Sequence, residues 1–134
     1  MATTPDYLGA RNSTCTIITN SDGTTAQTIF TAGANGARVH LVSASTDDAT
    51  PSLALMKSDG TTSCVLATFQ LPTNSGRVNG APAVDLMDPS VIPSIPADPG
   101  RFLTLGAGET LAVAMTTTLT VDKTVHVVVD GVDY

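Results

Sequence analysis

The sequence predicts an all-β fold, a single antiparallel β-sandwich or jelly-roll-like domain, on three observations. Threonine is the most frequent residue and valine is plentiful, whereas Glu109 is the one glutamate among twelve acidic residues. Branched side chains fit a pleated, half-buried surface and lose freedom in a helix. Second, apolar residues recur in short runs with a period of two, too brief for helices. Third, these runs are punctuated by Ser21-Asp22-Gly23, Gly33-Ala34-Asn35-Gly36, Ser58-Asp59-Gly60 and Gly106-Ala107-Gly108. Asp-Gly and Asn-Gly pairs tolerate the positive φ that tight β-turns require. Short strands at this spacing argue for a sandwich.

Taken in order, residues 1–13 carry a proline and a glycine but no periodicity, and are expected to form an extended N-terminal arm on a sandwich spanning 14–134. Strands are expected at Thr14–Asn20, Gln27–Thr31, Ala37–Ser45 and Ser52–Lys57. Further strands are expected at Ser63–Leu71, Arg101–Leu105, Thr110–Thr117 and Lys123–Asp130. In the third, Val39, Leu41 and Ser43 should share a face opposite Arg38 and His40. In the fourth, Leu53 and Leu55 point one way, Ala54 and Met56 the other. That strand is apolar on both faces, as is Val125–Val129 apart from His126, which marks a central strand or one at an interface. The pentapeptide SDGTT occurs at Ser21–Thr25 and Ser58–Thr62, and the simplest reading is two hairpin turns of one type.

The stretch Pro72–Gly100 holds six of the eight prolines, so little of it can be sheet. So long a connection is uncommon in a compact domain unless it is functional. Its Leu86, Met87, Val91, Ile92 and Ile95 argue that it packs on the body or on a neighbour.

At 134 residues the chain suffices for one domain that buries roughly two-thirds of its unfolded surface. Charged residues are 13% of it, against about 25% in a typical protein, so part of the surface is expected to be covered in the working state. The net charge is −6, and the six basic residues Arg11, Arg38, Lys57, Arg77, Arg101 and Lys123 are scattered. Phosphate recognition needs cations on one face, so no nucleic-acid partner is expected. No apolar run reaches the roughly 20 residues that span a bilayer, so no membrane role is expected either. MATTPDYLGA has neither the basic start nor the apolar stretch of a signal peptide, and synthesis inside the cell is expected.

Catalytic vocabulary is sparse. His40 and His126 are the only histidines, and no nucleophile turn of the G-x-S-x-G kind accompanies them. His126, amid valines, reads as a structural histidine. Cys15 and Cys64 lack metal spacing and are expected to be reduced, buried thiols, with a disulfide between them as the alternative. Asp47-Asp48 reads as a solvated turn more readily than as a cation site. The glycine-containing loops lack the lysine and helix of a phosphate cradle. No catalytic residue, metal or cofactor is expected.

Several segments, in order, carry a resemblance: Met-Ala-Thr-Thr-Pro-x-Tyr at the start, Phe30-Thr-Ala-Gly-Ala-Asn-Gly-Ala-Arg38, Asp59-Gly-Thr-Thr62, Leu103-x-Leu-x-Ala-Gly-Glu-x-Leu111, and Asp130-Gly-x-Asp-Tyr134 at the end. Together they resemble a family of small structural proteins of tailed bacteriophages, encoded near the capsid genes. The stretch Pro72–Gly100 is longer than that family's pattern. The resemblance implies a virion component, a decoration (cement) protein on the outer capsid surface. Such proteins are assembled in the bacterial cytoplasm, are often homotrimeric, bind the major capsid protein and staple neighbouring capsomers. On that reading the arm supplies contacts through Thr3, Thr4, Pro5, Asp6, Tyr7 and Leu8, with Tyr7 and Leu8 as apolar anchors. Leu86, Met87, Val91, Ile92 and Ile95 would add a second set, and Tyr134 a third. A frayed terminus is the bland alternative for the arm. A tail, neck or head-fibre location and a host-surface glycan-binding module compete with the capsid role. Against the glycan module stands the shortage of aromatic faces, with no tryptophan and only Tyr7, Phe30, Phe69, Phe102 and Tyr134.

Overall fold

The computed structural model describes residues 10–89, 91–92 and 102–134. Among these are nine strands: β1 (Arg11–Thr19), β2 (Gln27–Thr31), β3 (Ala37–Thr46), β4 (Ser52–Ser58), β5 (Ser63–Gln70), β6 (Val84–Asp85), β7 (Leu103–Leu105), β8 (Thr110–Met115) and β9 (Thr124–Asp133). They form two antiparallel sheets that pack into a β-sandwich. One runs β1-β9-β3-β6, with β7 also pairing β3; the other runs β2-β8-β4-β5. β6 and β7 lie end to end along one side of β3, at Ser43–Ala44 and Ala37–Val39. Counted as one interrupted strand, they give the order of an eight-strand jelly roll, in which the first strand pairs with the last.

The core follows from alternation on the central strands. Val39, Val42 and Ala44 of β3, with Val125, Val127 and Val129 of β9, meet Leu53 and Leu55 of β4 and Leu111, Val113 and Met115 of β8. All are buried, and each large aliphatic side chain contributes about 1.5–3 kcal/mol. On one side the sheets are stitched across their edges: the Thr14 hydroxyl donates to the Ile29 carbonyl, and Asn12 Nδ2 donates to the Thr31 carbonyl at 3.0 Å.

Four expectations need correcting. β1 begins at Arg11, so Arg11–Ser13 are sheet and not arm. The register of β3 on β9 shifts between Val39 and Leu41, because His40 is an extra residue in a bulge. Leu41 is therefore 42% exposed on the outer face, while Val42 takes the core position. The two SDGTT copies differ in structure. Ser58–Thr62 closes the β4–β5 hairpin, with Asp59 Oδ1 accepting from the backbone N of Thr61 and Thr62 at 3.0 and 2.8 Å. Ser21–Thr25 instead begins inside a single 3₁₀ turn (Asn20–Asp22) and carries the chain from one sheet to the other. Finally, Cys15 and Cys64 are free, as expected, but exposed: each sits on an edge strand, Cys15 at an outward position of β1 and Cys64 beside the β4–β5 turn.

Candidate functional site

β1 and β9 pair along their lengths, with Arg11 opposite Val132 and Thr19 opposite Thr124. The start of β1 and the end of β9 therefore lie at one end of the sandwich. Asp133 organises that end. Its backbone N donates to Ala10 O at 2.8 Å, and its Oδ1 accepts from Asn12 Nδ2 at 3.1 Å and Gly33 N at 3.2 Å. Tyr134 N donates to Gly36 O at 3.1 Å, leaving the residue 41% exposed. Of the expected contact residues, Tyr134 is thus a surface residue, next in the chain to Asp133, which bonds Ala10. Thr3, Thr4, Pro5, Asp6, Tyr7, Leu8 and Ile95 lie outside the described residues.

The proline-rich segment splits differently. Leu86, Met87 and Ile92 are 0–2% exposed and belong to the chain's own core, which corrects their expected role as contacts to a neighbour. β6 brings the first two there: Leu86 N donates to Val42 O at 2.9 Å, and Asp85 Oδ1 accepts from Met87 N at 2.8 Å. Val91 alone of the described set faces outward.

The two outer sheet faces differ in chemistry. On the face of β1, β9 and β3, Arg11 Nε donates to Asp130 Oδ1 at 3.1 Å in an exposed ion pair. Ile17, Val128 and Leu41 are exposed between polar neighbours. The Arg38 guanidinium lies 4.4 Å from the Phe102 ring centroid, with its buried Nε unpaired. On the face of the other sheet, register places Thr28, Ala112, Met56 and Val65 in one row, and Ala114, Ala54 and Thr68 in another. A third row is Thr31, Thr110, Ser58 and Ser63. None carries a charge. The nearest ion pair, Lys57 with Glu109 at 3.1 Å, sits at the rim. There the Gly106 N–H, then the Lys57 ammonium, hold the Glu109 carboxyl below its usual range.

Carboxylates elsewhere tie loops. Asp48 is buried, not solvated as expected: its oxygens accept from Ala49 N at 2.8 Å and Thr120 N at 2.9 Å. Burial pushes its pKa up, but these donors outweigh it and leave it below the ordinary value. Asp47, held low by the Thr124 N–H, makes a parallel tie at 2.9 Å. Together they fasten the β8–β9 connection to the end of β3. Nothing in the adjacent pair of aspartates signals this, because the partners are distant in sequence. Ser45 stands opposite His126 on β9, but its hydroxyl accepts from Arg77 Nε at 3.0 Å. Burial, then the Arg77 charge, hold His126 below the ordinary histidine value. Among the described residues no group of three His, Cys, Asp or Glu is placed to hold a metal ion, and no helix is long and apolar enough to cross a membrane.

Fold and strand order together define a class: a two-sheet antiparallel sandwich of jelly-roll order. No known protein family, no curated protein and no solved structure matches the chain.

Proposed function

We propose that the chain is a non-enzymatic structural component of a tailed-phage virion, a capsid decoration (cement) protein that binds the outside of the head and stabilises contacts between capsomers. The observation that supports this most is the pairing of the first strand with the last, which brings the start of β1 and Tyr134 to one end of the sandwich. A cement protein acts by holding neighbours, and a sandwich whose first strand begins beside the end of its last suits that task. The major capsid protein is the partner, and further copies of this chain, as a homotrimer, complete the assembly. Jelly rolls serve in capsids and in lectins alike, so the fold alone does not choose between them. The ordered sequence segments favour the capsid, and the scarcity of outward aromatic faces disfavours a glycan platform.

Deleting Ala2–Gly9 stops short of β1 and is expected to leave the melting temperature unchanged. Two buried anchors of the Tyr7 and Leu8 kind carry about 2 kcal/mol each, so binding to undecorated heads should weaken by several hundredfold or more. Co-sedimentation measures it; full-strength binding by the shortened chain overturns the arm's role.

A further inference from the structure

We infer that the uncharged outer face of the four-stranded sheet is where a second copy of this chain docks. The inference names a surface for self-association and is tested without any capsid, so its failure is distinct from failure of the virion reading.

The face is unusual for this chain. With twelve acidic and six basic residues in the sequence, the outward positions of β2, β8, β4 and β5 are Thr, Ser, Ala, Gln, Met and Val only. The other sheet's outer face carries Arg11, Arg38, His126 and Asp130. Small Ala54, Ala112 and Ala114 keep the centre of the uncharged face flat, and Met56 and Val65 rise from it. Val65 is 59% exposed. Along the edge, β5 pairs β4 alone among the described strands and has no lysine, proline or charge over Ser63–Gln70, so the usual guards against association are missing apart from one bulge.

Charge chooses the occupant. Copies that each carry −6 repel one another wherever their aspartates face. A second copy seated on this face through a different patch of its own, as a cyclic trimer requires, meets no like charge from it, and a strongly basic or acidic partner finds no counter-charge there. Area sets the strength. Four strands about 4.8 Å apart and about 20 Å long present roughly 400 Å², half the ~800 Å² per partner of a standard interface. The face alone thus gives a contact that dissociates on dilution.

The test is sedimentation equilibrium of the purified full chain over a wide concentration range, for wild type, Val65→Glu and Val65→Lys. Val65 is outward, so both variants keep the wild-type melting temperature when dilute. Wild type is expected to gain mass beyond one chain with concentration, and either charge is expected to raise the dissociation constant at least about tenfold. A wild type that stays a single chain at every concentration overturns the inference, as does association untouched by either variant. Weakening by glutamate but not by lysine overturns it too, since that pattern reports overall repulsion and not burial of the face.

Discussion

Leu86→Ala is expected to cost the isolated chain about 3 kcal/mol and to lower its melting temperature by about 10 °C. Leu86 is 0% exposed, and β6 holds it there through the bond from its backbone N to Val42 O. Truncating a buried leucine costs about 2–5 kcal/mol, from lost transfer energy and the cavity left behind. A kilocalorie is worth about 3–5 °C in a domain of this size. The result matters because Leu86 lies in a segment whose prolines and scattered apolar residues also fit an anchor for a neighbour. An anchor, or a solvated linker, gives a change within about 0.5 kcal/mol in the dilute chain. Thermal unfolding at low concentration separates the two. A melting point within a degree or two of wild type means that Leu86 is not core.

Gly131→Ala is expected to be at least as damaging, about 3 kcal/mol by the same measurement, although it adds a single methyl. A Cβ at Gly131 meets the carbonyl oxygen of Arg38 at 2.7 Å, Val39 Cα at 3.2 Å and Phe30 Cζ at 3.3 Å. Two of these are backbone atoms of the neighbouring strand and the third belongs to a buried ring, so none can yield cheaply. Overpacking of this kind costs about 1–3 kcal/mol and more where backbone must move. The close approach belongs to the bulge: Gly131 pairs Val39, and one step later Asp130 pairs Leu41, with His40 left over. An unchanged melting temperature for Gly131→Ala would show that β3 and β9 can separate there without loss.

What the sequence reveals of this fold is what depends on near neighbours. β2 runs over Gln27–Thr31 as its residues predict. β4 divides as its alternation predicts, with Leu53 and Leu55 buried and Ala54 and Met56 half-exposed on the other face. That second apolar side was the legible part of the docking face. Its continuation onto Val65 and Ala112 was not, because register between strands is non-local. β6 leaves no signal in the sequence, because Val84–Asp85 is too short for any period and lies among prolines. The bulge at His40 turned Leu41 outward against a regular alternation, and only the partner strand, with glycine at 131, explains it. The meeting of the start of β1 with the end of β9 is equally hidden, since it rests on β1 pairing with a strand more than a hundred residues away.

The measurement that bears most directly on the proposed role is a quantitative mass-spectrometric count of this chain in purified particles of the phage that role implies, relative to the major capsid protein. A decoration protein is present in numbers comparable to the capsid subunit, and that is the predicted result. A handful of copies per particle would contradict shell decoration and move the chain to the tail, neck or a vertex, and its absence would contradict the virion role itself.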